Sequence, residues 1–409
     1  MRNICIIDPY SDFPIDNLRL GRYHQIANQL VQKGFHVKIY ISNISHRDKK
    51  KSNIIGENNI SNGIQYVIIE SLKYKSHISI SRILYEKIFI RKVIKDLESN
   101  ITPDLIILRD PAIFISKSIL HYINLHKVKY IVDIIDLWPE LFELALPKIL
   151  SKYSNFIFSY FYRLRYKLLI GASAFTAVSP DYLNIATVLK PSVPAEVIYW
   201  GCDMKVTNEI IGNHSYEILK EFSLNKKDND FWVIYSGTLG NGYDIKTIFK
   251  SAELLKNNLN IKFLIAGAGP LEVWVKNYIN NNKPNNIIYL GLLPTTKLNS
   301  LFKYCNIGLT SYIEKSTVSM PIKAYDYFAS GLPIVNSLGR NLGQIVKSES
   351  LGYNYKSEDP KSLQEAILGA YNDTNLKIKI DNVKNISLKY EQINQYKKIY
   401  DVVNQVINI

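Results

Sequence analysis

Short apolar runs that alternate with longer amphipathic stretches constrain this chain most, because that alternation specifies a parallel α/β architecture. In the first half, Asn3–Ile7, Val37–Ile41, Ile64–Ile69, Leu105–Leu108, Lys129–Asp133, Phe175–Val178 and Glu196–Tyr199 read as strands. A helix is expected over Leu20–Lys33, with Gly34 as its stop. The polar stretch Gly201–Asp230 interleaves lysines with acids and reads as an irregular linker. A second series follows at Phe231–Tyr235, Lys262–Ala266, Ile287–Leu290, Ile307–Leu309, Ile334–Val335 and Gly352–Tyr355, and the chain from Lys361 on reads as charged helix. A chain of 409 residues is long for one core, and 47% hydrophobic with 21% charged residues excludes a disordered one. The expected fold class is α/β, with two Rossmann-like doubly wound domains facing across a cleft. Residues 1–200 form the first domain, 201–230 the linker and 231–390 the second domain, and a helix over 391–409 crosses back to the first. Ligands of such sheets bind at the carboxyl ends of the strands.

Three edges of the second series converge on that end. Phe231–Tyr235 runs into Ser236-Gly237-Thr238-Leu239-Gly240, and Lys262–Ala266 into Gly267-Ala268-Gly269-Pro270. Such turns let backbone amides approach a phosphate, although each alone also serves as an ordinary strand–helix turn. The third edge is Thr317–Val335, TVSMPIKAYDYFASGLPIV. It reads as a turn, a helix with Pro321 at its first position and Gly331 just past its end, then a strand. Amides near Ser319 and Met320 at that helix start suit an anion. Lys323 and Asp326, three residues apart, share a helix face. They fit a ligand carrying phosphate and hydroxyls, such as a nucleotide sugar, or else form an ordinary surface ion pair.

In the first half, Asp136-Leu137-Trp138-Pro139-Glu140 follows a strand end. A carboxylate and an indole there suit a sugar or polar acceptor, or serve as a helix cap and a core tryptophan. The histidines are scattered without metal-ligand spacing, and His24 reads as a surface or satisfied histidine. The net charge of +14 implies an anionic partner. Residues 1–200 carry 26 Lys and Arg against 17 Asp and Glu, the remainder 24 against 19, so the first half is the expected face toward an anionic surface. Within it Lys152–Lys167, KYSNFIFSYFYRLRYK, reads either as one helix of about four turns on an anionic membrane or as a buried helix with a solvated basic end. Nucleic acid is not an expected partner, since no recognised binding motif accompanies the charge. Cys5, Cys202 and Cys305 are too dispersed for a disulfide framework or zinc site, which fits a reducing compartment. No signal-peptide layout and no apolar run of about 18 residues is present. The expected location is cytoplasmic, peripheral on the inner face of the cell membrane.

In order, SGTLG, IAGAGP, YLGLLP and PIKAYDYFASGLPIV resemble the nucleotide-binding half of GT-B-fold, family 4 retaining glycosyltransferases. The pairing of DLWPE with P-x-K-x-Y-(acid)-Y resembles the bacterial members that build O-antigen, capsule or exopolysaccharide. The resemblance spans most of the chain and is strongest from Phe231 to Pro360. It implies that Asp326 holds the ribose hydroxyls and Lys323 the diphosphate, with the amides of Ser319 and Met320 on phosphate or donor sugar. Gly237, Thr238 and the Gly267 turn would line the phosphates, Leu290 and Gly291 the base, and Asp136 the donor sugar and acceptor, making Asp136 and Lys323 the catalytic pair. Two positions depart from the pattern. Val318 stands where the family has a glutamate, with Glu314 four residues earlier, and Tyr243, Asp244 and Lys246 replace an arginine–lysine pair. Neutralisation of the diphosphate then rests on Lys323 and helix dipoles, or on Lys246 or Arg340 reaching in. The implied activity transfers a sugar, with retention and without a metal cofactor, from a UDP-sugar to a polyprenyl-diphosphate-linked glycan. A nucleotide-sugar 2-epimerase and a catalytically silent membrane scaffold are the alternatives.

Overall fold

β1 (Asn3–Ile7) lies inside an eight-stranded sheet with β2 (His36–Ser42), β3 (Gly56–Ile60), β4 (Ile64–Ile69), β5 (Leu105–Asp110), β6 (Lys129–Ile134), β7 (Ala174–Ala177) and β8 (Ala195–Val197). The order is β3-β4-β2-β1-β5-β6-β7-β8, and every neighbouring pair is parallel except the β3–β4 hairpin. The computed structural model describes residues 2–13, 21–46, 50–60, 63–74, 79–111, 113–143, 146, 149–204 and 215–408. They divide into two compact units, Met1–Tyr199 with Gln395–Ile409, and Trp200–Asn394.

In the first unit the strand runs expected from sequence form with small shifts at their ends, and β3 is an addition. Its sequence, Gly56-Glu57-Asn58-Asn59-Ile60, lacks apolar alternation, so only pairing with β4 makes it a strand. The first helix spans Arg22–Gln32 and is followed by Gly34 at φ +85°. The expected start at Leu20 falls outside the described residues. Tyr23, Ile26, Ala27 and Leu30, at helical spacing, pack on Ile4, Ile6 and Val37 of the sheet. Tyr396, Ile399, Val402, Val403 and Val406, from the helix Gln392–Asn408, complete the same core. Each such side chain contributes about 1.5–3 kcal/mol on burial. His24 is buried, with Nδ1 2.7 Å from the Tyr66 hydroxyl, so it is a satisfied core histidine and not a surface one.

The aromatic–basic stretch is not one continuous helix. A 3-10 turn at Ser151–Tyr153 and a short helix at Ser154–Ile157 precede the helix Ser159–Gly171, with Phe158 as the break between the two helices. Phe161 turns inward onto Phe114 and Phe142, and Arg165 is buried in ion pairs with Asp110 and Glu140. Tyr153, Phe156 and Tyr160 stay exposed.

The second unit holds β9 (Phe231–Ser236), β10 (Ile261–Ala266), β11 (Ile287–Gly291), β12 (Ile307–Thr310), β13 (Ile334–Asn336) and β14 (Gly352–Asn354), all parallel, in the order β11-β10-β9-β12-β13-β14. β9 has β10 on one side and β12 on the other, so strand order reverses beside it, where open α/β sheets bind ligands. The stretch read as irregular linker contains the helix Ser215–Glu221, whose Ile218 and Leu219 are buried. Residues 205–214 lie outside the described residues.

Candidate nucleotide-binding site

At the carboxyl end of this second sheet the glycine turns continue the ladder sideways. The Gly237 amide donates to the Ala266 carbonyl (2.9 Å), Leu239 to Ala268 (2.9 Å) and Gly267 to Gly291 (2.7 Å). Gly267 has φ +156°, and a Cβ there would sit 1.8 Å from the Gly237 carbonyl oxygen. Only a residue without a side chain permits that approach. Gly237 and Thr238 are exposed along this edge.

The helix Ile322–Ala329 is held against the edge by Tyr327. Its hydroxyl accepts from the Ser236 amide (3.1 Å) and lies 3.2 Å from the Leu309 carbonyl, so it ties the helix to β9 and β12 together. A Cβ on Gly308 would lie 2.6 Å from the Tyr327 ring, so glycine there lets the ring lie on the strand. Pro321 caps the helix in extended geometry, one residue earlier than its expected place inside it. Ser319 and Met320 are buried just before that cap, and the Ser319 carbonyl accepts from the Leu342 amide.

Lys323 decides between the two sequence readings of this helix. It is only 8% exposed, and its Nζ has no hydrogen-bond partner among the described residues. Asp326, half-buried on the next turn, raises its proton affinity at a distance without forming a close ion pair. A surface i,i+3 ion pair is therefore excluded. The ammonium lies 4.0 Å from the ring centroid of Tyr235, 4.8 Å from that of Tyr243 and 5.3 Å from that of Tyr312. A Cβ on Gly237 would come within 3.1 Å of it. Burial pushes the Lys323 amine down to about 7, against the opposing charge of Asp326. A buried, unpaired cation beside an exposed glycine edge is an anion site in waiting.

The structure thus gathers Gly237, Thr238, Gly267 and Lys323 at one edge, with Ser319 and Met320 just before the adjoining helix and Asp326 on it. Leu290 is buried, while Gly291, at φ +68°, turns the chain toward the exposed Leu292. Lys246 does not reach in, because its ammonium lies 5.9 Å over the Trp274 ring. Arg340 is exposed at the start of the helix Asn341–Ser348. Glu314 is also exposed, its amide donating to the Glu358 carboxylate (3.1 Å). Sequence reasoning missed the ring of tyrosines. Tyr235 carried a signal, as a polar-tipped aromatic directly before the glycine turn.

Asp136 lies in the first unit, just past β6, where its Oδ1 accepts from the Leu137 amide (2.9 Å). Burial raises its proton affinity, opposed by that amide and by Arg109, Arg82 and Arg165. Around the same strand ends Arg109 pairs with Asp8 (2.9 Å) and Arg82 with Glu86 (3.2 Å), and the Arg82 guanidinium stacks 3.7 Å over Trp138. Trp138 is therefore buried under a cation. Below them Arg22 grips Asp133 with two bonds of 2.8 Å. Burial alone would raise the Asp133 carboxyl, but Arg22 outweighs it and holds the group below the usual range.

Residues 217–386, which contain this edge, match the family described as "Glycosyl transferases group 1". Among curated proteins, the chain is similar to chitobiosyldiphosphodolichol beta-mannosyltransferase from Kluyveromyces lactis, at 24% identity over 165 residues, 38% of this chain and 36% of that protein. The enzyme of that name from Dictyostelium discoideum is 28% identical over 102 residues, 24% of this chain and 20% of that protein. The matches thus span about a third or less of these relatives' lengths. Among solved structures, sucrose-phosphate synthase from Thermosynechococcus elongatus superposes with a TM-score of 0.75 at 14% identity, covering 100% of both chains. WaaG, described as a glycosyltransferase involved in lipopolysaccharide biosynthesis, gives 0.67 at 12%, covering 98% of this chain and 99% of its own. Anabaena HepE in complex with UDP gives 0.68 at 13%, covering 99% and 100%. The fold is the GT-B fold, two Rossmann-like units.

Proposed function

We propose that this protein is a glycosyltransferase that moves a sugar from a UDP-sugar to a polyprenyl-diphosphate-linked glycan during assembly of a bacterial surface polysaccharide. The observation that carries the reading is the buried, unpaired Lys323 ammonium at the Gly237–Gly267 edge. A nucleoside diphosphate supplies the missing anion, and Asp326 on the same helix supplies an acceptor for ribose hydroxyls. The family match covers the same residues. The curated relatives' printed name specifies a diphosphodolichol-linked acceptor, and HepE is described in complex with UDP and with UDP-glucose.

In this reaction the bond from the sugar's anomeric carbon to the diphosphate breaks, and the acceptor hydroxyl oxygen bonds to that carbon. The hydroxyl proton passes to the departing diphosphate, and the configuration is retained. Lys323 and the Thr238 amide stabilise the charge that grows on the leaving group, so no resident metal is assigned. Asp136 orients the sugar or acceptor from the first unit.

A thermal-shift panel of UDP, GDP and dTDP tests the donor. UDP at about 100 times its Kd stabilises the protein by about 2.7 kcal/mol, and a response to GDP alone would replace the assigned base. Two variants separate the roles by calorimetry and turnover. Asp326→Ala weakens UDP binding about tenfold or more. Asp136→Asn leaves UDP binding intact and lowers turnover on the order of 100-fold. Normal turnover in the second variant removes Asp136 from the reaction, and conversion of the donor without an acceptor would identify an epimerase instead. Failure to bind any nucleotide would favour the silent scaffold suggested by Val318.

The acceptor places the protein at a membrane surface, and the first unit offers one face for it. Ile149, Leu150, Tyr153, Phe156, Ile157 and Tyr160 are exposed, Ile149 and Phe156 by 83% each, beside exposed Lys152, Arg163 and Lys167. No described helix is long and apolar enough to cross a membrane. An apolar face with a basic border suits the surface of an anionic bilayer, each basic residue adding about 1 kcal/mol. In sedimentation assays the protein pellets with phosphatidylglycerol-containing vesicles and is released by salt. The double variant Tyr153→Ser, Phe156→Ser binds at least about tenfold more weakly. Equal binding by that variant would remove this face from the proposal.

A further inference from the structure

The tyrosines around Lys323 do more than fill space. Tyr235 comes from β9, Tyr243 from the turn after the glycine edge, and Tyr312 from the segment after β12, so separate elements direct ring faces at one amine. Tyr243 and Tyr312 lie against each other, with centroids 4.9 Å apart. The Tyr235 hydroxyl donates to the Thr238 carbonyl (2.7 Å), which fixes its ring beneath the glycine edge. An aromatic face attracts a cation but offers no proton acceptor and no counter-charge. The amine is thus kept dry and tethered, with its charge only partly supported.

Resting on the glycosyltransferase reading above, we propose that Tyr235, Tyr243 and Tyr312 form a cage that positions the Lys323 amine, and that a diphosphate arriving at the Gly237 edge draws a proton from solvent onto it. Among the described residues, the groups facing the amine are the three tyrosines and Asp326. Burial holds the Tyr235 hydroxyl protonated far above neutral pH. Asp244, next to Tyr243, already accepts from the Glu358 amide (2.8 Å). The nearby anion that completes the charge is thus the ligand. The amine titrates near neutrality before binding, in keeping with its burial. Once paired with the diphosphate it returns toward an ordinary lysine. Above about pH 7, therefore, nucleotide affinity falls by up to about tenfold per pH unit, and each nucleotide bound takes up close to one proton.

Calorimetry of UDP binding to the whole protein between pH 7.5 and 9, where both UDP phosphates are fully ionised, reads this directly. Two non-phosphate buffers of different ionisation heat give the proton count. The expected result is uptake approaching one proton and a falling affinity. Lys323→Arg, which stays charged, abolishes the uptake and flattens the pH profile. Tyr243→Leu weakens UDP binding more at pH 8.5 than at pH 6.5, whereas Tyr243→Phe, which keeps the ring, retains the wild-type profile. A purely structural tyrosine would lower affinity equally at both pH values. UDP binding without proton uptake and without pH dependence overturns the inference and leaves the glycosyltransferase reading standing. Absence of binding by UDP, GDP and dTDP at every pH overturns both.

Discussion

Lys323→Met makes the second unit more stable while sharply weakening diphosphate binding. Methionine matches the length of lysine and fills the same apolar slot without a charge to desolvate. The sign follows from linkage. The amine's proton affinity in the folded protein, at about 7, lies below its ordinary value of 10.5, so between those limits the unfolded chain binds more protons. The penalty for burying the amine is fully present below about pH 7 and fades as pH rises toward 10.5. Near neutral pH the variant gains roughly 2–5 kcal/mol, which raises Tm by roughly 5–15 °C. The gain shrinks toward pH 10, a trend that thermal melts across pH would record. UDP affinity falls on the order of 100-fold, because a charge-assisted contact in a dry site is lost. A variant that is less stable and binds UDP normally would show that Lys323 is structural.

Gly267→Ala has the opposite effect on stability. Its Cβ would lie 1.8 Å from the Gly237 carbonyl oxygen, a backbone atom that cannot swing aside. The two turns must separate, breaking the Gly237–Ala266 and Gly267–Gly291 hydrogen bonds and the edge they build. A loss of more than about 3 kcal/mol is expected in denaturant melts, along with loss of UDP binding. Gly242→Ala, a few residues beyond the same edge, meets nothing within 4 Å and stays within about 0.5 kcal/mol of wild type. Comparable stability of the two variants would mean that the turns are not tightly apposed.

Much of the fold was legible because parallel strands buried on both faces are apolar runs, and those runs were read nearly to the residue. β3 was illegible for the complementary reason, since Gly56-Glu57-Asn58-Asn59-Ile60 becomes a strand only through its partner β4. The break at Phe158 was hidden because Phe158 and Phe161 face inward while Tyr153 and Phe156 face out, a division set by packing and not by composition. At the site, Lys323 and the glycines could be read from turn chemistry. The burial that distinguishes an anion site from a surface ion pair could not, because it depends on Tyr243 and Tyr312, 80 and 11 residues away in sequence. The same holds for Arg165, read with a solvated basic stretch and found buried against Asp110.

The first unit closes its core with Tyr396, Ile399, Val402, Val403 and Val406, although its other residues end at Tyr199. During synthesis the packing face of Tyr23, Ile26 and Leu30 therefore waits for the whole of Trp200–Asn394 to be translated. At about 5–20 residues per second that delay is roughly 10–40 s. The second unit, continuous in sequence, can finish folding within that interval, so the half that is made first is completed last.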